Sequence, residues 1–233
     1  MKQIVKYLTT RLYKPLLVKY LSATRSYTYK GISLLIPPAV FHPGFFFSTR
    51  LLMHSISTFP LKNKLLLEPG AGSGLISLFA AQQGAVVTAT DINPVAIHFL
   101  ETNRHHNQLP VTIIQSDLFN NIPKQAFDII AINPPYYKKQ PRTAAEYAWY
   151  CGEHGEYFQN LFSGLHDYIH EQSEVLMVLC DGCDIPMIHD IASEHEFTLT
   201  CIQTKKNWIE TNFIFKIVKR ESNIAYPAAP EEP

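Results

Sequence analysis

The stretch Leu65-Leu66-Leu67-Glu68-Pro69-Gly70-Ala71-Gly72-Ser73-Gly74 decides the fold. Three consecutive leucines are typical of a strand that is buried on both faces, as in a parallel sheet. Apolar side chains at helical spacing follow, and they predict a helix over residues 75–83. A strand, a glycine-rich turn and a helix bring backbone N–H groups and a helix N-terminus close to a ligand. The alternative is a glycine-rich turn that binds nothing.

The spacing of the glycines excludes two common nucleotide-binding patterns. A dinucleotide fingerprint needs a third glycine three residues after its second, and that position is Leu75. A phosphate-binding loop needs Gly-Lys-Ser/Thr, and no lysine lies between Lys64 and Lys124. The remaining acid-x-Gly-x-Gly-x-Gly pattern resembles the first motif of class I S-adenosylmethionine (SAM)-dependent methyltransferases. In that family the glycines admit the amino-acid end of the cofactor.

Strands and helices alternate along the chain. Further strands are predicted at 85–90, 111–115, 127–132, 174–179, 197–204 and 211–218. Further helices are predicted at 51–59, 94–107, 147–168 and 185–195, and Gly152 and Gly155 divide the one at 147–168. Such alternation indicates a mostly parallel sheet, and the last two strands are expected to be antiparallel neighbours. The alternation predicts an α/β fold, and the resemblance of the glycine-rich motif implies that it is the Rossmann-like class I methyltransferase fold. Its mostly parallel seven-stranded sheet would have an antiparallel last strand and an N-terminal helical extension.

Acidic residues follow the second and third strands of the predicted sheet. Asp91 ends the second strand, where a carboxylate can accept hydrogen bonds from a ribose diol. Asp117 follows the third strand within Ser116-Asp117-Leu118-Phe119, where its carboxylate can accept from an adenine amino group. The alternative is that Ser116 or Asp117 only caps the next turn.

The most specific motif is Asn133-Pro134-Pro135-Tyr136, which follows the fourth strand beside the glycine-rich turn. The Asn133 side chain and the Pro134 carbonyl offer two acceptors that can hold a planar –NH₂ group by both protons. The prolines keep the backbone of Asn133 extended, and Tyr136 offers a flat face to an amide or a base. Catalysis would then rest on positioning and electrostatics, without a metal. The alternative is a proline-rich loop with no catalytic role.

Together these motifs resemble amino-nitrogen methyltransferases, and most closely the HemK (release-factor) type of glutamine N5-methyltransferase. Ser116-Asp117-Leu118-Phe119 and Gly152-Glu-His-Gly155-Glu156 are similar to segments of that type, and the resemblance spans residues 40–218. Glu68 stands where Asp is commoner, and the first 40 residues do not resemble the substrate domain of the bacterial release-factor enzymes.

The resemblance implies a set of site residues, with SAM as the cofactor and no metal. The implied cofactor-binding residues are Glu68, Gly70, Gly72, Gly74, Asp91, Ile92, Asp117, Leu118 and Asn133. The implied substrate-binding residues are Asn133, Pro134, Pro135 and Tyr136, of which Asn133, Pro134 and Tyr136 would be catalytic.

The motif requires a planar –NH₂ acceptor, which leaves several functions open. We expect an enzyme that methylates a protein glutamine amide. RNA guanine or adenine N-methylation is the first alternative, and a non-catalytic SAM-binding scaffold is an alternative of another class. DNA adenine methylation is disfavoured because the chain leaves no room for a target-recognition domain.

Positive charge is concentrated in the first part of the chain, although the net charge is zero. Residues 1–67 contain ten Lys and Arg and no acid, whereas residues 68–233 contain ten Lys and Arg and all twenty acids. The basic segment predicts contact with RNA or another anionic partner. The alternative is a helical cap that complements the acidic domain.

We divide the chain into a basic extension (1–40), a methyltransferase domain (41–220) and a disordered tail (221–233). In the extension, residues 1–22 predict two short amphipathic helices and residues 27–36 predict a hairpin. The sequence has no apolar run long enough to span a membrane and no secretory leader, so we expect a cytoplasmic protein.

Two further motifs have alternative interpretations. Phe45-Phe46-Phe47 is either core packing or an aromatic wall over the cofactor. Cys180-Asp-Gly-Cys183 has neither a second cysteine pair nor a nearby His-x-x-x-His, so we interpret it as a pair of reduced structural thiols.

Overall fold

The structure, a computed structural model, describes residues 20–208 and 210–220. Its strands are β1 (Arg25–Tyr29), β2 (Ile32–Ile36), β3 (Leu65–Pro69), β4 (Val86–Asp91), β5 (Val111–Gln115), β6 (Ile129–Ile132), β7 (Glu174–Cys180), β8 (Phe197–Lys206) and β9 (Thr211–Lys219). Its α-helices are α1 (Phe47–Ile56), α2 (Leu75–Gln82), α3 (Pro94–Asn107), α4 (Glu156–Leu165) and α5 (Ile185–Glu194).

Seven strands form one sheet in the order β5-β4-β3-β6-β7-β9-β8, and β1 and β2 form a separate hairpin. The strands from β3 to β7 are parallel, and β9 runs antiparallel to both of its neighbours. The expected sheet, with its antiparallel last strand, is therefore confirmed. The chain moves outward from β3 to β5 and then returns to place β6 on the other side of β3. Such a reversal leaves a crevice at the carboxyl ends of the two central strands.

Strand β3 is buried on both faces, as its three leucines predict. Leu66 and Leu67 are both 0% exposed and point to opposite sides of the sheet. Leu66 belongs to a core that includes α1, α2 and α3, whereas Leu67 belongs to a core that includes α4 and α5. Each core removes a large apolar area from water, and this burial is the main source of stability.

Helix α3 begins and ends as predicted. The side chain of Asn93 caps it by accepting a hydrogen bond from the Val95 N–H at 2.9 Å, and Pro94 occupies the first turn. Asn103 and Asn107 on α3 fix the hairpin, because their side-chain amides bond the backbone of Leu35 and Ser33 in β2. The hairpin predicted over residues 27–36 is confirmed and packs on this helix.

The helix predicted over residues 147–168 is wrong in its first half. Only α4 and short 3₁₀ turns at Ala144–Ala148 and His166–Tyr168 are helical there. Gly152 and Gly155 have φ of +92° and +80°, which a right-handed helix does not allow. The Trp149 carbonyl instead accepts from the N–H groups of Tyr136 and Tyr137, so this segment pairs with the Asn-Pro-Pro-Tyr loop.

Several predictions fall on residues that the structure does not describe. The helices predicted in residues 1–22 lie almost entirely outside the described residues, as does the tail at 221–233. The boundaries of the three predicted regions stay predictions. No helix within residues 20–208 and 210–220 is both long and apolar enough to cross a membrane.

Candidate active site

An open cleft lies at the carboxyl ends of β3, β4, β5 and β6. Its floor is the crevice between β3 and β6, where the order of the strands reverses. In open α/β sheets, ligands bind in such a crevice.

Most of the predicted site residues meet in this cleft. Those that line it are Glu68, Gly70, Gly72, Asp91, Ile92, Asp117, Leu118, Asn133, Pro134, Pro135 and Tyr136. Gly74 does not line the cleft. It begins α2 with φ of +85°, and a Cβ there would lie 2.1 Å from Leu100 Cδ1, so Gly74 is required by packing. The roles of the lining residues stay predictions.

Gly70 differs from Gly74 in what surrounds it. Its φ is +70°, but a Cβ there would meet nothing within 4 Å. Gly70 therefore leaves open space at the surface of the cleft, which allows a ligand to approach the backbone closely.

Glu68 lies beneath the glycine-rich turn and is 5% exposed. Its Oε2 accepts hydrogen bonds from the backbone N–H of Ser77, at 2.8 Å, and from the Ser77 hydroxyl. The carboxyl group thereby satisfies a free N–H in the first turn of α2, as a helix cap does. Burial raises the pKa of Glu68 to about 8, and the two bonds from Ser77 oppose the rise.

Asp91 ties the turn to the end of β4. Its Oδ2 accepts from the Gly72 N–H and its Oδ1 from the Asn93 N–H, both at 2.8 Å. Burial raises the pKa of this carboxyl group, whereas the backbone bonds lower it. Each oxygen retains a second lone pair toward the cleft, which is what a ribose diol would use.

Ser116 and Asp117 follow β5, and their side chains make different contacts. The Ser116 hydroxyl donates to the Leu118 carbonyl at 2.8 Å and accepts from the Asn121 N–H at 3.0 Å, so Ser116 shapes the turn. These bonds hold Leu118 at φ of +46°, a conformation that side chains rarely adopt. The Asp117 carboxylate is exposed and makes no hydrogen bond to any described residue, so it is free for a ligand.

Asn133 is oriented by a residue that is distant in sequence. Its Nδ2 donates to the hydroxyl of Thr49, on α1, at 3.4 Å. Thr49 is 6% exposed and lines the same cleft. Because the amide nitrogen faces Thr49, the carbonyl oxygen Oδ1 is left to accept a hydrogen bond from a ligand.

An aromatic group covers one side of the cleft, and it is not the triple Phe that the sequence suggested. Phe41 and Trp149 line the cleft, with ring centroids 5.3 Å apart, and Phe46 packs behind both rings. Phe45 is 37% exposed and packs on His42. Phe47 packs against the core on the α1 side of the sheet. Phe41 and Trp149 therefore form the surface of the wall, and of the three adjacent phenylalanines Phe46 alone packs against both of these rings.

Several lining residues were not among the predicted site residues, and Thr49, Trp149 and Tyr157 are those that bear on the chemistry. Tyr157 lies on α4, and burial, with the nearby charges of Asp91 and Asp117, raises the pKa of its hydroxyl. Trp149 could have been noticed, because it is one of only two tryptophans and lies in an aromatic run. Thr49 belongs to a Pro-Gly-x-Phe…Thr-x-Leu-Leu stretch that resembles small-domain methyltransferases, but nothing in that stretch indicates a contact with Asn133. Among the described residues, no three His, Cys, Asp or Glu side chains are grouped as metal ligands.

Comparison with known proteins gives relatives of both predicted types. A protein of Methanocaldococcus jannaschii, named provisionally as a protein N5-glutamine methyltransferase, is 38% identical over 108 residues, covering 46% of this chain and 52% of the relative. The tRNA1(Val) (adenine(37)-N6)-methyltransferase of Shewanella loihica is 38% identical over 89 residues, covering 34% and 37%. The chain thus spans about half, or less, of these relatives.

A solved structure shows the same fold. The 16S rRNA N2 G1207 methyltransferase of T. thermophilus, in complex with AdoMet and guanosine, superposes with a TM-score of 0.61 at 18% identity, covering 85% of this chain and 50% of that one. Residues 32–150, more than half of the chain, match the family described as the methyltransferase small domain. The chain belongs to the methyltransferase small-domain family.

Proposed function

We propose that this protein is a SAM-dependent N-methyltransferase whose acceptor is a protein glutamine amide. The observation that carries the proposal is the position of Asn133. Its amide nitrogen donates a hydrogen bond to Thr49, so its carbonyl oxygen is free to accept one from a ligand. Asn133 lines the same cleft as three acidic side chains near the ends of β3, β4 and β5, which are Glu68, Asp91 and Asp117.

The residues of the cleft fit SAM. Gly70 leaves room for a close approach to the backbone, Asp91 suits the ribose hydroxyls, and the free Asp117 carboxylate suits the adenine amino group. Tyr157 and Phe41 offer apolar ring faces. When bound, SAM supplies a methyl group on a positively charged sulfur, which a nitrogen nucleophile can accept directly.

The chain's own contribution is to position the acceptor. Asn133 Oδ1 and the Pro134 carbonyl would each accept one N–H of the amide, which fixes its plane and turns its nitrogen toward the cofactor. These carbonyl dipoles also stabilise the positive charge that the nitrogen gains in the transition state. The methylated nitrogen then loses one proton, which passes to water at the open side of the cleft. Tyr136 and Trp149 line the cleft beside this position and offer apolar ring faces to the acceptor.

The charges near the mouth of the cleft favour a protein acceptor over RNA. Lys138 and Lys139 follow the motif after Tyr137, but each is paired, with Asp184 and Glu146 respectively. Paired lysines contribute less to phosphate binding, which depends on neutralising the backbone charge. Residues 68–233 also contain ten more acids than bases, which repels a phosphate backbone.

An RNA base remains the second candidate because of one observation. The rings of Tyr137 and Tyr147 are 47% and 41% exposed, and Tyr147 lines the cleft. An unstacked base can lie on such rings, whereas a glutamine side chain does not need them.

Radiolabelled SAM distinguishes the two acceptors. The full chain is incubated with labelled SAM and cell extract, and parallel samples are treated with protease or with ribonuclease. We expect protease to release the label, and hydrolysis of the labelled protein to yield N5-methylglutamine. The Asn133→Ala variant serves as the control for label transferred by other enzymes. Label that survives protease and is released by ribonuclease would contradict the glutamine proposal.

A further inference from the structure

The cysteine pair at the end of β7 lies next to the proposed acceptor position. Cys180 is the last residue of β7, and Cys183 precedes the cap of α5, which is Asp184. The two sulfur atoms are 3.8 Å apart, and the Cys180 N–H donates to Cys183 Sγ at 3.2 Å. The Cys183 N–H donates to the Cys180 carbonyl at 3.0 Å, which closes a β-turn. A β-turn keeps its end Cα atoms within about 7 Å, in the range that a disulfide bridges without moving the backbone.

The turn is also tied to the segment that follows the Asn-Pro-Pro-Tyr motif, because the carboxylate of Asp184 pairs with Lys138, and Cys180 lies beside Tyr136. Hydrogen bonds from the Cys183 thiol, the Gly182 N–H and the Tyr136 hydroxyl lower the pKa of Cys180 to about 7, whereas burial and the charge of Glu210 oppose this change. The neighbouring Cys180 thiol and burial raise the pKa of Cys183. A thiolate beside a second thiol is the arrangement of a redox-active dithiol.

We propose that Cys180 and Cys183 form a reversible disulfide, and that its formation disturbs Tyr136 and so switches off methyl transfer. The second half of this statement rests on the proposed function, since it assigns Tyr136 to the acceptor position. The first half concerns the two sulfur atoms alone.

The oxidant we name is a peroxide, because Cys180 is only 5% exposed and hydrogen peroxide is small. The Cys180 thiolate attacks one peroxide oxygen, the O–O bond breaks, and the products are a sulfenic acid and a hydroxide that takes up a proton to become water. The Cys183 thiol then attacks the Cys180 sulfur. The S–S bond forms, the S–O bond breaks, and a second water leaves with the thiol proton. In total, two thiols lose two electrons to one peroxide, which yields two waters.

Disulfide formation brings the two sulfur atoms from 3.8 Å to about 2 Å and removes the negative charge beside Tyr136. The turn between the cysteines has to adjust to this change. Asp184, which follows Cys183, carries the movement to Lys138 and so to the Asn-Pro-Pro-Tyr loop. Because the backbone N–H of Tyr136 is bonded to Trp149, the movement would be transmitted to the wall of the cleft.

The sulfur chemistry is tested on the full chain without any acceptor. The reduced protein is treated with hydrogen peroxide, and the cysteine-containing peptides are identified by mass spectrometry. We expect a Cys180–Cys183 disulfide that dithiothreitol reverses. Cys201→Ser is the matched control, because Cys201 is exposed on β8 and is not part of the pair, and this variant should oxidise as the natural protein does. A Cys151–Cys183 bridge, or oxidation of Cys201 while Cys180 stays reduced, would overturn the proposal.

The link to Tyr136 has its own test, which also needs no acceptor. The rate of Cys180 alkylation is measured against pH in the natural protein and in Tyr136→Phe. Loss of the hydroxyl donor should shift the midpoint to higher pH, because a less stabilised thiolate forms later. An unchanged midpoint means that the two groups are not coupled, and the switch is then refuted.

Activity provides the last comparison. Oxidation should lower methyl transfer at least tenfold and change the affinity for S-adenosylhomocysteine less than twofold, and Cys183→Ser should stay active in peroxide. A disulfide that forms without loss of transfer contradicts the switch. If instead no protein acceptor is ever labelled, the proposed function fails while the disulfide and alkylation results stand on their own.

Discussion

Gly70 and Gly74 share a backbone conformation but differ in their surroundings, so substitution by alanine should mainly affect cofactor binding at Gly70 and stability at Gly74. Gly74→Ala adds a left-handed alanine, at about 1–2 kcal/mol, and a clash with Leu100 of about 1–3 kcal/mol. Gly70→Ala should cost only the first term, because its Cβ meets nothing. We expect Gly70→Ala to fold and to bind SAM poorly, and Gly74→Ala to lose stability. Urea unfolding and calorimetric titration of SAM measure the two effects. Equal stabilities would contradict the packing argument.

Asp117 is a cleaner test of the cofactor site than Asp91, because Asp91 also holds the backbone of Gly72 and Asn93. Asp117→Ala should weaken SAM binding by about 1.5–3 kcal/mol, as expected for a hydrogen bond to a charged group. Its melting temperature should stay unchanged. Asn120→Ala, in the same exposed turn, is the control. Unchanged affinity in Asp117→Ala would remove this residue from the site.

Thr49 should act on catalysis only through Asn133. Asn133→Ala is expected to lower kcat by about 10²–10³-fold, as for the loss of one preorganised polar group. Thr49→Val removes the hydroxyl and should lower kcat by about tenfold, because Asn133 is then free to rotate.

The control for this pair is Thr49→Ser, which keeps the hydroxyl and should restore kcat. SAM affinity should change little in all three variants, so kcat and KM for the acceptor are measured separately. A purely structural Thr49 would instead lower the melting temperature in Thr49→Val and leave kcat intact.

The contact of Thr49 with Asn133 also shows which part of the site could not be predicted from the sequence. Residue types at strand ends predicted Asp91, Asp117 and Asn133, because parallel strands bring their carboxyl ends to one edge. The partner of Asn133 lies 84 positions earlier and on another element, so no local spacing could indicate it.

At the scale of elements, the N-terminus of α2 depends on the buried carboxyl group of Glu68. Its folded-state pKa of about 8 lies well above the ordinary value, so between pH 4.5 and 8 the folded protein holds a proton that the unfolded chain has released. Stability should therefore fall as pH rises through this window, by about 1.4 kcal/mol for each pH unit.

Glu68→Gln isolates this effect, because the amide cannot ionise and its oxygen can still accept from the Ser77 N–H. Urea unfolding from pH 5 to pH 9 should show the natural protein losing stability relative to the variant. Other titrating groups are present in both proteins and cancel in the difference. A constant difference across the range would mean that Glu68 titrates normally in the folded state.

Elements with clear capping and spacing signals were predicted well, whereas the segment at residues 149–155 was not. Helix α3 has an Asn cap, an N-terminal proline and regular spacing, and its bounds are as predicted. Residues 149–155 contain apolar and aromatic side chains that look helical. However, the chain there pairs with Tyr136 and Tyr137, a contact between loops that periodicity does not reveal.

At the scale of the whole molecule, the distribution of charge indicates which partners the protein can attract, and the fold determines the cleft that holds the acceptor. The excess of ten positive charges in residues 1–67 predicts an anionic partner, but ten acids in excess balance it elsewhere. Net charge bears on association and solubility and not on the fold. The identity of the acceptor therefore depends on the cleft, and the basic segment concerns how a partner is brought to it.

Ligand-linked stability of the whole chain tests the choice of cofactor. S-adenosylhomocysteine at 100 times its Kd should add about 2.7 kcal/mol to the free energy of unfolding, which raises Tm by about 5–10 °C for a protein of this size. NAD should cause no measurable shift. Its pyrophosphate would need the free N–H groups at the start of α2, but Glu68 already occupies that of Ser77, and Leu75 stands where the dinucleotide fingerprint has glycine.

Differential scanning fluorimetry of the full chain with each ligand measures this directly, and Asp117→Ala should shift the S-adenosylhomocysteine titration to higher concentration. A rise in Tm with NAD and none with S-adenosylhomocysteine would refute both the cofactor and the reaction built on it. A rise with S-adenosylhomocysteine that Asp117→Ala leaves unchanged would keep the cofactor but place its adenine elsewhere in the cleft.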